Sequence, residues 1–238
     1  TIVILIRCYL NMTWFDRDLP DVGVVAKWNA KELDELLFRL SRWDLFSGPG
    51  EWREFVTNQI RPLEISEKAT FRFLEAGVGV GAFAREILRM FENSKGRGFD
   101  TVHNAVEIAT VVLPRDRMNV TVGEMTRIHE PSRSFDAVFV PGALCYLYSM
   151  TQVRMAVSEF ARVLKEGGGM CLSMLPSEVS AKGSCSVGIP KSFWREEVTS
   201  EPYHLKLVAL EEMSGWKLPH SLGRYSVCLR LDLPQVPL

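Results

Sequence analysis

Three glycines at alternate positions follow a short apolar run and an acidic residue. The apolar run ends at Glu75, and the glycines are Gly77, Gly79 and Gly81. Glycine lets the backbone turn tightly after a strand and approach a ligand where a Cβ would collide with it. A helical pattern follows, and the free N–H groups of its first turn point toward the same place. The segment therefore predicts a ligand-binding loop, and Glu75 indicates a ligand that carries a cationic group as well as a sugar.

Two more acidic residues follow predicted strands and complete this candidate site. Asp100 ends the second predicted strand, and Glu124 follows the third. Glu107 is an alternative to Asp100, because residues 102–106 could also form a strand. Glu107 precedes Glu124 by only 17 residues, which is too few for a helix and a strand when a crossover needs about a dozen residues or more. We therefore expect Glu75, Asp100 and Glu124 to meet at the carboxyl edge of one sheet.

Strands and helices alternate from residue 71 onward, which predicts a parallel sheet covered by helices on both faces. Two late strands without a long helix between them favour an antiparallel pair at the sheet edge. We expect a polar, Gly-rich connection at 93–98, a glycine turn at 167–169 and a loop at 176–190. The predicted strands are 71–75, a short one ending near 100, 119–122, 135–140, 170–175, 205–209 and 225–231, and the predicted helices are 82–91, 106–113 and 151–164.

The amino-terminal part shows helix signals and lacks the alternation of strands and helices. Asn29 and Glu32 are typical of a helix-capping pair, and a break rich in Gly and Pro at 47–50 separates this helix from a second one. We predict that residues 1–70 form an amino-terminal extension with covering helices, which could also serve as a substrate lid. Residues 71–238 are then the ligand-binding domain.

The composition limits the functional classes. The chain has 238 residues, of which 47% are hydrophobic and 24% charged, as in an ordinary globular protein. A net charge of −1 gives no bulk electrostatic indication of a nucleic-acid partner. The apolar run at 2–6 is far too short to cross a bilayer, and it lacks the flanking parts of a signal peptide. We expect neither a nucleic-acid nor a membrane partner.

The cysteines and the first residue lead to two further expectations. The five cysteines form no C-x-x-C pair, and their number is odd. We therefore expect reduced thiols in a cytoplasmic protein, and no metal site. Because the chain begins with Thr1 rather than methionine, we expect Met12 to be the true start and assign no function to the first eleven residues.

Five short motifs follow one another along the chain: E-A-G-V-G-V-G at 75–81, G-F-D at 98–100, G-E-M at 123–125, F-D-A-V-F-V-P-G-A-L at 135–144 and R-V-L-K-E-G-G at 162–168. In this order and spacing they resemble a class I S-adenosylmethionine-dependent methyltransferase of the small type 11-like kind. The resemblance covers roughly residues 71–175 together with the late strand pair. It implies an α/β fold with a Rossmann-like, seven-stranded, mostly parallel sheet, helices on both faces and an antiparallel carboxyl-terminal pair. It also implies S-adenosylmethionine as the cofactor.

The resemblance implies a role for each acidic residue. Glu75 would lie near the amino group of the cofactor, Asp100 would accept from both ribose hydroxyls, and Glu124 would accept from the adenine amino group. Met125 would lie against the adenine ring, and the segment that begins at Pro141 would lie beneath the sulfonium. The full set of implied cofactor-binding residues is Glu75, Ala76, Gly77, Gly79, Gly81, Asp100, Thr101, Glu124, Met125, Pro141 and Gly142.

The methyl acceptor is less well defined. Modest size, near-neutral charge and aromatic amino-terminal helices favour a small-molecule acceptor, with a protein acceptor as the second choice. Alignment and desolvation can supply much of the acceleration of methyl transfer, so we assign no catalytic residue. The candidates for a substrate contact or a base are Tyr146, His204 and His220, each of which could instead be an ordinary packing or surface residue.

Two other functions stay open on sequence alone. Gly77, Gly79 and Ala82 satisfy the G-x-G-x-x-G/A pattern of NAD(P)-dependent oxidoreductases, which is weak evidence by itself. The extra Gly81 and the acidic Glu124 count against that function. A non-catalytic module that binds S-adenosylmethionine would keep the same acidic residues, so the sequence does not separate such a module from an active enzyme.

Overall fold

A computed structural model describes residues 21–29, 31–33, 35, 49–66, 68–177, 187–212 and 224–232. Within these residues seven strands form one sheet. The strands are β1 (Arg72–Ala76), β2 (Lys95–Asp100), β3 (Met118–Val122), β4 (Phe135–Pro141), β5 (Leu164–Pro176), β6 (Leu205–Glu212) and β7 (Arg224–Leu231). The helices are α1 (Val22–Val25), α2 (Pro49–Ile60), α3 (Ala82–Met90), α4 (His103–Val112) and α5 (Met150–Val163), with short helical turns at Arg61–Leu63, Leu144–Tyr146 and Phe193–Glu197.

The strand order of the sheet is β3-β2-β1-β4-β5-β7-β6. Neighbouring strands among β1 to β5 are parallel, whereas β7 is antiparallel to both β5 and β6. Parallel neighbours need crossover connections, and α3, α4 and α5 each lie in one of these connections. The structure therefore confirms the predicted α/β fold with its antiparallel carboxyl-terminal pair.

Each face of the sheet carries its own hydrophobic core. Helices α1 to α4 cover one face, where Phe73 and Phe139 of the sheet pack with Phe83 of α3. Helix α5 covers the other face, where Phe160 and Trp194 are buried in the same core. Burial of each such side chain contributes about 1.5–3 kcal/mol to the free energy of folding. The two cores hold the sheet rigid, so the loops at its carboxyl edge extend from a fixed frame.

Strand β2 begins at Lys95, inside the segment where we expected a polar connection. A Cβ on Gly96 would lie 2.4 Å from Met118 Sδ and 2.5 Å from Phe73 Cζ. Gly96 thus leaves room for two side chains that come from the neighbouring strands β3 and β1. The expectation was wrong because glycine serves close packing within a strand here, rather than a turn.

The glycine run at 167–169 is also part of a strand. Strand β5 begins at Leu164 and continues through the glycines, although its pairing with β4 is irregular there. A Cβ on Gly169 would lie 2.4 Å from Leu63 Cδ2, in the turn that follows α2. The predicted turn was wrong, since at Gly169 the absence of a side chain lets Leu63 pack directly onto the strand.

Cys171 of β5 and Cys228 of β7 are opposite each other in the strand register and form a disulfide. Their Cα atoms are 4.3 Å apart, close to the spacing of directly opposed residues in an antiparallel pair. The expectation of reduced thiols is therefore wrong for this pair. The two cysteines are 57 residues apart, and their spacing in the sequence does not reveal the register that joins them. Cys145 is buried, and its Sγ donates to Gly142 O at 3.3 Å.

The described amino-terminal residues confirm the capping pair. Asn29 Oδ1 accepts hydrogen bonds from the backbone N–H groups of Lys31 and Glu32, and Glu32 Oε2 accepts one from Asn29 N at 2.7 Å. Most of the predicted helix that follows lies outside the described residues. Helix α1 contacts α4, and Arg53 Nε of α2 donates to Glu86 Oε1 of α3 at 2.5 Å. None of the helices in the described ranges is long and apolar enough to cross a membrane.

Candidate functional site

The candidate site lies where the order of the parallel strands reverses. Strand β1 has β2 on one side and β4 on the other, and the chain reaches these neighbours in opposite directions. In open α/β sheets ligands bind outside the carboxyl ends of the strands at such a point. Glu75 is aligned with Gly98 of β2 and with Phe139 of β4. The predicted acidic residue and its glycine loop therefore lie at the expected edge of the sheet.

The glycine loop is held close to its neighbours on one side and open on the other. Gly77 has φ +79°, and a Cβ there would lie only 2.2 Å from the Cβ of Ala143 in the loop after β4. Gly79 has φ +50°, but a Cβ there would have no atom within 4 Å. The backbone N–H groups of Gly77 and Val78 both donate to Phe99 O of β2. These bonds hold the loop against β2, and the space next to Gly79 is open.

Glu75 is buried at the base of this loop and is 1% exposed. Its carboxylate accepts a hydrogen bond from the N–H of Ala84 in the first turn of α3. Its Oε2 atom has no hydrogen-bond partner in the described part of the chain. Burial raises the pKa of Glu75 well above its ordinary value, and the charge of nearby Asp100 raises it further. A ligand with a positive charge beside Oε2 would supply the missing partner and favour the ionised carboxylate.

Asp100 connects the loop to the start of α4. Its Oδ2 atom accepts from Gly79 N at 2.8 Å, and its Oδ1 atom accepts from Val102 N at 3.0 Å. The N–H of Thr101 is a third donor to the carboxylate. Burial nevertheless raises the pKa of Asp100, although these hydrogen bonds lower it. A carboxylate has about four acceptor positions, so Asp100 keeps capacity for a ligand hydroxyl while it holds the loop in place.

Glu107 does not compete with Asp100 for this position. Asp100 is the last residue of β2, whereas Glu107 lies within α4 beside His103, with His103 Nε2 3.6 Å from Glu107 Oε1. The structure thus confirms that the second strand ends at Asp100. The turn after β3 is tied to the same place, because Gly123 N donates to Asp100 O at 3.0 Å. In that turn Glu124 is exposed and Met125 is half-buried.

The segment after β4 closes the other side of the candidate site. Gly142 has φ +74°, and its N–H donates to Ser173 O of β5 at 3.1 Å. Ala143 contacts Gly77, since a Cβ built on Gly77 would lie 2.2 Å from the Cβ of Ala143. Tyr146 lies in the short helix that follows and is 62% exposed. Pro141 and Gly142 directly precede Ala143, which contacts the glycine loop, and Tyr146 follows it by three residues.

Of the two histidine candidates, the described structure places only His204, and it lies away from this site. His204 precedes β6, at the opposite edge of the sheet, where it lines an open pocket of about 450 Å³ together with Arg133, Tyr203 and Leu231. That pocket is far from Glu75, because it lies at the amino ends of the parallel strands. His220 lies outside the described residues. Within the described ranges, His, Cys, Asp and Glu side chains form no group of three or more that could hold a metal ion.

Sequence reasoning missed two residues near the site, Met174 and Arg224. Met174 has φ +58°, which is unusual for a residue with a side chain. Arg224 Nη1 donates to Met174 O at 3.0 Å. Arg224 directly precedes the predicted strand 225–231. Nothing in the sequence indicated that this strand begins near Gly142.

A family model described as a methyltransferase domain matches residues 73–168. This range begins in β1, ends in β5, and contains the glycine loop, Asp100, Glu124 and the segment after β4. No curated protein matches the chain by sequence.

Solved structures with the same fold include NodS, an N-methyltransferase of Bradyrhizobium japonicum in complex with S-adenosyl-L-homocysteine. It is 21% identical, with 85% of this chain and 98% of NodS covered and a TM-score of 0.64. A chain from the complex between the Trm112 methyltransferase activator and a methyltransferase of Haloferax volcanii is 16% identical, with coverages of 85% and 98% and a TM-score of 0.64. The [4+2]-cyclase SpnF is 15% identical, with coverages of 76% and 82% and a TM-score of 0.62. Because none of these identities exceeds 21%, the comparisons with solved structures show a shared fold and nothing more.

Proposed function

Given that residues 73–168 form a methyltransferase domain of the class I fold, we propose that this protein transfers a methyl group from S-adenosylmethionine to a small-molecule acceptor. The domain family and the fold relatives indicate S-adenosylmethionine as the cofactor. The observation that carries the proposal is the buried Glu75, whose Oε2 atom lacks a partner beside an open glycine loop. A buried carboxylate in that position is costly unless a cation pairs with it.

The residues present fit the cofactor. Glu75 would bind its ammonium group, and the open space above Gly79 would receive its ribose beside Asp100. Glu124 and Met125, in the turn joined to Asp100, would hold the adenine. The remaining predicted contacts come from backbone groups near these side chains, at Ala76, Gly77, Gly81, Thr101, Pro141 and Gly142.

The main contribution of the chain to catalysis is alignment. The cofactor supplies a methyl carbon bonded to a positively charged sulfur, which makes that carbon a strong electrophile. The contact between Gly77 and Ala143 fixes the glycine loop against the segment after β4. That segment and Tyr146 would orient the acceptor and exclude water from the line of attack. Tyr146 is exposed at this edge, and we propose it as an acceptor contact, with no general base assigned.

The amino-terminal helices belong to the same proposal. Helix α1 contacts α4, which begins two residues after Thr101. Helix α1 would therefore border the adenosine side of the site. We propose separately that the covering helices in residues 1–70 serve as a substrate lid. A protein acceptor is the second choice, and a non-catalytic cofactor-binding module is the alternative.

Binding and transfer can be tested separately. S-adenosylhomocysteine should raise the melting temperature of the purified protein, and NADH should not. Glu75→Gln and Asp100→Asn should each weaken S-adenosylhomocysteine binding by about tenfold or more, because each loses a charge-assisted hydrogen bond. Glu107→Gln is the matched control on α4 and should bind like the parent protein. Stabilisation by NADH alone would instead support an oxidoreductase.

The acceptor class requires a transfer assay. Labelled S-adenosylmethionine is incubated with the protein and a cell extract that has been separated into small-molecule and protein fractions. Label in the small-molecule fraction supports the first choice, and label in the protein fraction supports the second. Tight cofactor binding without transfer to either fraction would support the non-catalytic module.

A further inference from the structure

Arg224 is joined to the candidate site by a short series of contacts. Gly77 contacts Ala143, and the neighbouring Gly142 donates its N–H to Ser173 O. The next residue, Met174, accepts a hydrogen bond from Arg224 Nη1 at its carbonyl oxygen. The guanidinium of Arg224 therefore lies at the same carboxyl edge as the glycine loop, on the side of β5.

An irregularity in β5 creates the acceptor for this bond. The register with β7 pairs Leu172 with Val227 and then Leu175 with Tyr225, so Ser173 and Met174 form a bulge opposite one residue. Met174 has φ +58°, and its side chain is buried. Bulges of this kind redirect the backbone and are common next to active sites. In this bulge the carbonyl group of Ser173 accepts from Gly142, and the carbonyl group of Met174 accepts from Arg224.

The charge of Arg224 has no acidic partner in the described parts of the chain. Some other arginines there do have such partners, for example Arg154 with Glu197, Arg162 with Glu159, and Arg230 of the same strand with Glu64. Arg224 is half-buried, and within the described residues its hydrogen bond to Met174 O uses one of its five donors. A guanidinium that is fixed in this way and keeps free donors suits the two oxygens of a carboxylate or phosphate.

Distance separates this group from the proposed amino-acid end of the cofactor. Met174 O holds the guanidinium beside β5, which is two strands from β1. At about 4.8 Å between strands, this is roughly 10 Å from β1. The carboxylate of S-adenosylmethionine is attached to the same carbon as its ammonium, which Glu75 would bind. An anion that reaches Arg224 is therefore expected to belong to the acceptor.

We propose that Arg224 binds an anionic group, a carboxylate or phosphate, on the methyl acceptor and so determines its specificity. This inference rests on the proposed methyltransferase function. It assigns the acceptor to small molecules that are anionic at neutral pH and carry a separate nucleophilic atom for the methyl group. Met174 and Ser173 act as positioning residues, because they hold the guanidinium and Gly142 in one frame.

The test begins with S-adenosylhomocysteine binding to Arg224→Gln, Arg224→Lys and the control Arg230→Gln, which lies on the same strand. Calorimetry should give the same affinity for all three variants as for the parent protein, and thermal melting checks that they fold. Loss of S-adenosylhomocysteine affinity in Arg224→Gln alone would mean that Arg224 binds the cofactor, which overturns the inference.

The second stage identifies the product from labelled S-adenosylmethionine and the small-molecule fraction of a cell extract. The labelled product should be retained by an anion-exchange resin at neutral pH. Arg224→Gln should raise KM for its acceptor roughly 10- to 100-fold, Arg224→Lys should raise it less, and Arg230→Gln should leave it unchanged.

The remaining outcomes separate this inference from the function on which it rests. A neutral or cationic product, or an unchanged KM in Arg224→Gln, overturns the role of Arg224 and leaves methyl transfer standing. S-adenosylhomocysteine binding without any labelled small-molecule product also overturns it. Absence of S-adenosylhomocysteine binding overturns both proposals.

Discussion

Replacing Gly79 by alanine tests whether the cofactor occupies the space next to this residue, provided that the effect of backbone strain is measured separately. Gly79 has φ +50°, and a Cβ placed there would meet no atom within 4 Å. The substitution therefore adds strain without a collision in the protein itself. According to the proposal, the added methyl group occupies the space that the cofactor needs beside Asp100.

Gly167→Ala is the matched control for this substitution. Gly167 has φ +73°, a Cβ there would also be free of contacts, and the residue lies at the opposite end of the sheet. Each variant should lose about 1 kcal/mol of unfolding free energy, because a side chain is disfavoured at positive φ. For a protein of this size that loss lowers the melting temperature by roughly 2–4 °C. The two variants should therefore be similar in stability.

Their ligand binding should differ sharply. Gly79→Ala should weaken S-adenosylhomocysteine binding by about tenfold or more, equivalent to about 1.4 kcal/mol, whereas Gly167→Ala should bind like the parent protein. Calorimetric titration measures the affinity, and denaturant unfolding without ligand measures the stability. Equal affinities for Gly79→Ala and the parent protein would refute the placement of the cofactor above the glycine loop. Equal losses in both variants would show that strain alone causes the effect.

Three further predictions concern the site and the fold. Gly77→Ala should lower the unfolding free energy by roughly 2–5 kcal/mol in denaturant titrations, since backbone strain adds to overpacking against Ala143 at 2.2 Å; a loss no larger than that of Gly167→Ala would contradict this contact. Burial raises the pKa of Glu75 above its value in the unfolded chain, so the stabilisation from its bound proton is present at low pH and lost as pH rises through the raised pKa. Unfolding measured from pH 4.5 upward without ligand should show this decline relative to Glu75→Gln, and parallel curves would exclude it. Replacing Cys171 and Cys228 together by alanine should lower the unfolding free energy by as much as about 4 kcal/mol, given the 57-residue separation, and peptide mapping under non-reducing conditions should recover the linked pair from the parent protein.

The sequence was sufficient where a residue type has one dominant structural use. Gly77 has positive φ and leaves no room for a side chain, and an acidic residue buried at a strand end needs a specific partner, as Glu75 does. The choice of Asp100 over Glu107 depended only on the length that a helix and a strand require. These features follow from local geometry, so they could be predicted without knowledge of the neighbours.

The sequence was insufficient where a residue's use depends on distant packing. The glycines at 96 and 169 resemble turn signals, but each makes room for a side chain that lies far away in the sequence, Met118 for one and Leu63 for the other. The disulfide depends on the register between β5 and β7. No period or spacing within either strand contains that information.

The candidate site shows the same division. The predicted residues after β1, β2 and β4 lie at one edge of the sheet, because the carboxyl ends of parallel strands share an edge. His204 precedes an edge strand, and only the pairing of β6 with β7 shows that it lies at the opposite edge. Arg224 lies at the near edge for the same reason, since β7 runs in the reverse direction.

The most direct test of the central claim is a crystal structure of the protein in complex with S-adenosylhomocysteine. The account predicts the ligand across the glycine loop, with its ammonium within about 3 Å of Glu75 Oε2 and a ribose hydroxyl at Asp100. Ligand density at another edge of the sheet, or a ligand at this edge that leaves Glu75 Oε2 without a partner, would contradict it.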